Sequence, residues 1–126
     1  MSPAHNKSEP VNDVLDALEA GAEPDRTALR DAVRFLLAEL ARRVPGRSVE
    51  VRVPPFAAVQ CVPGPRHTRG TPPNVVEMDA MTWLLLATGR LPWSVAVTEG
   101  RVRASGIRTD MSVHLPVYGP AASDPG

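Results

Sequence analysis

Between Asp25 and Pro45 the apolar residues recur with the period of an α-helix, and this stretch constrains the fold more than any other. Successive apolar positions lie four, three, one, three and four residues apart: Leu29, Val33, Leu36, Leu37, Leu40 and Val44. This spacing predicts a helix with one buried stripe. Asp25 is suited to cap its first turn, and Pro45-Gly46 ends it.

The next segment, residues 48–53, alternates with the period of a β-strand. Val49, Val51 and Val53 share one face, whereas Glu50 and Arg52 share the other. A half-buried strand has this pattern, and its apolar face should pack on the same layer as the helix stripe. Pro54-Pro55 ends the strand, and residues 56–62 are predicted to return beside it.

The remaining pattern contains further short helices and strands. Helices are predicted at 11–20, 79–88, 92–99 and 111–115, and strands at 74–78 and 101–105. This order favours an α+β fold, in which helices cover one face of a mostly antiparallel sheet of four to five strands. The predicted organisation is an N-terminal tail with a short helix (1–24), one domain (25–118) and a flexible C-terminal tail (119–126).

Composition and motifs exclude several classes of function. The 126 residues include 14 basic and 14 acidic side chains, so the net charge gives no general attraction to nucleic acid. The longest apolar stretch, residues 81–87, is too short to span a bilayer. The N-terminus lacks the apolar segment of a signal peptide, and Cys61 is the only cysteine, which together predict a cytoplasmic protein without disulfides.

No motif predicts catalysis. GxSxG, Walker and GxGxxG patterns are absent from the sequence, and His5, His67 and His114 lack the spacing of metal ligands. Cys61 lies on a predicted strand, where a small core residue is expected more often than a nucleophile. We therefore predict no enzyme activity, no cofactor and no metal.

The loop at residues 63–73 carries Arg66, His67 and Arg69. Two guanidinium groups beside glycine-containing backbone could bind a carboxylate or a phosphate. The alternative is a solvated loop whose arginines pair with Glu77 or Glu50. Both interpretations remain open from the sequence.

The segment VVEMDAMTWLLLATGRLPWSVAVTEGRVRASGIRTDMSVHLPV, which starts at Val75, resembles the C-terminal half of the sterol-carrier (non-specific lipid-transfer) family. In that family a strand leads into a capped helix, a second helix, a basic strand and a final helix. The matching residues at the element boundaries are Asp79, Gly89, Leu91, Gly100, Arg101, Gly106 and Asp110. The loop GPRHTRGTPPNVVE is similar to the short bacterial branch of the family.

The resemblance implies a non-catalytic carrier that binds a hydrophobic small molecule or lipid. The implied ligand-binding residues are Phe56, Trp83, Leu84, Leu85, Trp93 and Val97. The two indole N–H groups need a hydrogen-bond partner or water, so Trp83 and Trp93 are candidates for a cavity mouth as well as for the core. Leu84, Leu85 and Leu86 are consecutive and cannot all face the sheet from one helix.

Two other functions remain open. One is a protein–protein interaction module, including a homodimer, that is packed without a cavity. The weaker one is a small enzyme that uses Arg66, His67 and Arg69. A cavity above about 300 Å³ would favour the carrier. A filled core would favour the interaction module, and convergence of the loop residues on one concave site would favour the enzyme.

Overall fold

The computed structural model describes residues 9–64 and 73–118, and this part of the chain contains four α-helices, four strands and one 3-10 turn. The elements are α1 (Glu9–Glu19), α2 (Arg26–Arg43), β1 (Val49–Val53), β2 (Ala57–Cys61), β3 (Asn74–Met78), α3 (Ala80–Ala87), α4 (Trp93–Thr98), β4 (Val102–Ser105) and the 3-10 turn (Ser112–His114). The predicted α+β class is confirmed.

The four strands form one sheet in the order β2-β1-β3-β4. β1 pairs antiparallel with β2 and β3 pairs antiparallel with β4, but β1 and β3 are parallel neighbours. The sheet is therefore mixed, with two antiparallel pairs and one parallel pair. Val51 at the centre of β1 lies opposite Val59 on one side and Val76 on the other.

The core lies between α2 and one face of the sheet. Val33, Leu36, Leu37 and Leu40 of α2 are fully buried, and they belong to the same cluster as the three valines of β1. The predicted common layer of helix stripe and alternating strand is confirmed. Asp25 caps α2 as predicted, because its Oδ2 accepts a hydrogen bond from the Ala28 N–H at 3.1 Å.

The opposite face of the sheet carries charged side chains. Arg52 pairs with Glu50 at 2.8 Å, and Arg103 pairs with Glu77 at 3.2 Å. Ion pairs this exposed contribute little stability. They mark the solvent-facing side of the sheet, since Glu50, Arg52 and Glu77 alternate with the buried positions of β1 and β3, and Arg103 of β4 lies opposite Glu77.

Helix α1 also contributes to the core. Val11 and Val14 are fully buried, and the Tyr118 hydroxyl donates a hydrogen bond to Asn12 Oδ1 at 3.0 Å. The ring of Tyr118 in turn lies edge-on to Phe35 of α2, with their centroids 6.2 Å apart. Helix α1, helix α2 and the C-terminal segment are thus held together, although the sequence pattern places the domain start at residue 25.

Asn74 is a buried polar side chain on the inner face of β3. Its Nδ2 donates to the Ser48 carbonyl at 2.9 Å, while its Oδ1 accepts from the Arg108 N–H at 2.9 Å. Gly106 has a φ of 113° and leaves no room for a Cβ beside this amide. One side chain therefore joins the start of β1 to the loop that follows β4.

Candidate ligand-binding site

The site begins at the tight connection between α3 and α4. Asp79 caps α3 as predicted, because its Oδ1 accepts from the Thr82 N–H at 2.8 Å. At the other end, Gly89 adopts a φ of 80°, and the N–H groups of Arg90 and Leu91 both donate to the Leu85 carbonyl. The chain reverses here, and Pro92 then precedes α4.

The C-terminal segment returns to this connection. The N–H groups of Val117 and Tyr118 both donate to the Ala87 carbonyl, at 2.9 and 3.0 Å. Between the segment and the two helices lies an open cleft of about 510 Å³. Its apolar lining consists of Leu86, Leu91, Pro92, Trp93, Leu115 and Pro116.

The apolar residues on the floor of the cleft are more buried than the polar residues on its rim. Leu86 is only 1% exposed, and Leu91, Trp93 and Leu115 are half-buried. The polar lining residues Ser94, Asp110 and Ser112 are all exposed. The cleft therefore combines an apolar floor with a polar rim, which suits an amphipathic molecule.

Asp110 is the acidic group of this rim. Its Oδ1 accepts a hydrogen bond from the Ser112 N–H at 2.9 Å. Hydrogen bonds from the Ser112 side chain and backbone, with a smaller contribution from the nearby His114, hold the pKa of Asp110 below its ordinary value. Asp110 is consequently a carboxylate at neutral pH.

The six residues that the resemblance implied for ligand binding lie in different parts of the structure. Trp93 lines the cleft. Trp83 and Leu84 lie in the core, where the Trp83 Nε1–H donates to the Val33 carbonyl at 3.3 Å. Leu85 is half-buried on the same helix.

The other two implied residues lie elsewhere. Phe56 precedes β2, and the Arg26 guanidinium stands 5.2 Å from the centre of its ring. Val97 is 49% exposed on α4. The binding role of the six residues remains a prediction, and the cleft contains one of them.

Several cleft residues were not singled out as ligand-binding from the sequence. Leu86 belongs to the leucine trio and is the member that lines the cleft. Asp110 was identified only as a residue at an element boundary, and Leu115 only as the end of a predicted helix. Their position in the site depends on the return of the C-terminal segment to Ala87, which no local pattern encodes.

A second depression, of about 520 Å³, lies where β1 and β3 end. Its lining is mainly polar or charged, and these groups bind one another. The Arg101 Nε–H donates to Thr82 Oγ1 at 3.2 Å, while Arg103 pairs with Glu77. This depression is a poorer candidate for an apolar ligand.

The loop residues Arg66, His67 and Arg69 lie outside the described residues, so the proposed anion site stays a prediction. Their suggested partners are already engaged. Glu50 binds Arg52 and Glu77 binds Arg103.

Cys61 is a core residue on the inner face of β2. It is fully buried, and burial raises the pKa of its thiol to about 11. We expect the native protein to resist an aromatic disulfide reagent at about pH 8, whereas the unfolded chain should react fully, because thiolate formation and access are both suppressed in the fold. Rapid reaction of the native thiol, at the rate seen in denaturant, would contradict this placement.

Within residues 9–64 and 73–118, no helix combines the length and apolar character needed to cross a membrane. The same described residues contain no cluster of three or more His, Cys, Asp or Glu side chains that could hold a metal ion.

The chain matches a model of a protein family. No curated protein matches the chain. A family model described as "Bacterial SCP ortholog" matches residues 25–117, which covers most of the chain and extends from the cap of α2 to the C-terminal segment that closes the cleft. The chain therefore belongs to the bacterial sterol-carrier-protein ortholog family.

Proposed function

We propose that this protein is a non-catalytic carrier that binds a lipid-like amphipathic molecule in the cleft between α3, α4 and the C-terminal segment. The observation that carries the proposal is the apolar floor, buried at Leu86 and half-buried elsewhere, which lies beside an exposed polar rim. A volume of about 510 Å³ lies in the range of small-molecule sites. Membership of the sterol-carrier family supports the same class of ligand.

The packing of the core favours the cleft as the binding place. Leu36, Leu37 and Trp83 fill the space beneath α2 and are almost completely buried. A ligand between α2 and the sheet would have to displace these side chains, and large core rearrangements are costly. The cleft needs no such rearrangement because it is already open.

Leu115→Gln is the variant that tests this site. Leu115 is half-buried in the cleft wall, so the change should remove apolar contact without emptying the core. We expect the affinity for Nile red, a neutral apolar probe, to fall by about tenfold. Titration of the probe by its fluorescence, with Trp93 emission as a second readout, measures this change.

Val95→Gln is the matched control, because Val95 is exposed on α4 and belongs neither to the lining residues nor to the six implied ligand-binding residues. It should leave the probe affinity unchanged. A Trp93→Ala variant provides a second test of the cleft if Leu115→Gln proves unstable in denaturant melts. Two results would contradict the carrier function. One is the absence of saturable probe binding to the unaltered protein, and the other is a probe affinity that is the same in all three variants as in the unaltered protein.

The interaction module retains support from the filled core between α2 and the sheet and from exposed apolar side chains. Ile107 is 95% exposed and Val113 is 82% exposed, and both follow β4. Burial of these residues between two copies would remove apolar surface from water. A dimer in sedimentation experiments that dissociates in an Ile107→Ser, Val113→Ser variant, without probe binding, would favour this function.

A further inference from the structure

The rim of the cleft has a distinct electrostatic character. Ten described residues line the cleft as a whole, and Asp110 is the charged residue among them. The polar residues near it, Ser94 and Ser112, are neutral. A molecule in the cleft therefore meets a negative rim with no arginine or lysine among these ten residues to offset it.

The geometry of Asp110 leaves acceptor capacity for a ligand. A carboxylate offers about four lone-pair sites, and the side-chain hydroxyl and backbone N–H of Ser112 occupy two of them, with the N–H 2.9 Å from Oδ1. The side chain is exposed, so its remaining sites are accessible from the cleft opening. Hydrogen bonds from Ser112 keep the pKa of Asp110 low, and therefore the group accepts but does not donate at neutral pH.

The chemistry of a suitable head group follows from these features. An ammonium group gains attraction and donates hydrogen bonds, while a hydroxyl group donates a hydrogen bond without charge attraction. A carboxylate or phosphate would place a second negative charge near the first and offers no donor. His114, which contributes to lowering the pKa of Asp110, is not among the residues that line the cleft.

We propose that the cleft, if it carries the ligand as argued above, selects amphiphiles with a hydrogen-bond-donating, cationic head group and discriminates against anionic ones such as fatty acids. Primary alkylamines are the favoured class, and alkyl alcohols rank second. The apolar tail occupies the floor formed by Leu86, Leu91 and Trp93. The head group lies at the rim beside Asp110.

Displacement of Nile red by decylamine, decanol and decanoate tests the proposal, because the three compounds share one tail. The titrations are run below the micelle concentrations of the ligands, at low ionic strength. We expect decylamine to bind about tenfold more tightly than decanoate, with decanol between them, which is the size expected when a surface ion pair is exchanged for a like-charge contact. Added salt should reduce the ratio.

Asp110→Asn removes the charge but keeps an oxygen that can accept from the Ser112 N–H. This variant should bind decylamine and decanoate with nearly equal affinity. Glu50→Gln is the control, because it removes one negative charge on the opposite face of the sheet and should leave the preference intact.

The outcomes separate this proposal from the carrier function. Nile red binding with decanoate equal to or tighter than decylamine would overturn the head-group preference alone. A preference for decylamine over decanoate that persists in Asp110→Asn would also overturn the head-group proposal alone. Failure of Nile red and all three decyl compounds to bind would overturn both proposals together.

Discussion

Replacement of Trp83 by alanine should destabilise the protein by about 3–5 kcal/mol, the usual cost of truncating a large buried aromatic side chain. Trp83 is 1% exposed and lies on α3, and its Nε1–H reaches the Val33 carbonyl of α2 at 3.3 Å. Loss of the ring would leave a cavity where these two helices meet. Urea melts of the variant, followed by circular dichroism, measure the free energy of unfolding.

The second tryptophan provides the matched control. Trp93 is half-buried at the cleft, so Trp93→Ala should cost clearly less stability than Trp83→Ala. A Trp83→Phe variant retains most of the buried ring and should fall between the two. Equal losses for Trp83→Ala and Trp93→Ala would show that Trp83 does not hold the helices together.

Leu36→Ala should cost about 2–5 kcal/mol. Leu36 is fully buried at the centre of the α2 stripe, in the same cluster as Val51 of β1. The large loss is expected because Leu36 is fully buried, and the surrounding side chains would fill only part of the cavity left by its truncation. Denaturant melts again supply the measurement.

Leu29→Ala on the same helix controls for helix propensity, which changes equally at both positions. Leu29 is only half-buried near the start of α2 and should cost less than half as much. A loss below about 0.5 kcal/mol for Leu36→Ala would contradict the assignment of α2 to the core, because it is the size of ordinary surface substitutions.

Local periodicity explains why much of the fold was predictable. The α2 stripe and the alternation of β1 are each visible within one short window, and a buried face must match another buried face. The caps Asp25 and Asp79 were also predictable, since a side-chain acceptor before an apolar run satisfies free N–H groups.

The parallel pairing of β1 and β3 was not predictable in the same way. The two strands are separated along the chain by β2, and their own patterns fit either direction. The cleft was harder still to predict from the sequence, because it depends on two hydrogen bonds from the C-terminal segment to Ala87.

The two tryptophans show the same limit. Each lies in the first turn of a short helix with apolar residues close by in the sequence, so the local pattern could not distinguish a core position from a cleft position. Contact with Val33 assigns Trp83 to the core, and the approach of Leu115 and Pro116 assigns Trp93 to the cleft. Both contacts connect residues distant in sequence.

The packing of α1 shows that the start of the family match and the start of the packed core are different positions in the chain. The family match begins at residue 25, yet Val11 and Val14 lie fully buried in front of it. A fragment cut to the limits of the family, residues 25–117, would uncover the surface of α2 that these valines cover, and it would lack both Asn12 and Tyr118, whose side chains are hydrogen-bonded to each other. The segment defined by shared ancestry is therefore shorter than the segment that packs into one core. A chain shortened to the family limits would expose an apolar face of α2 through which it could associate with other proteins.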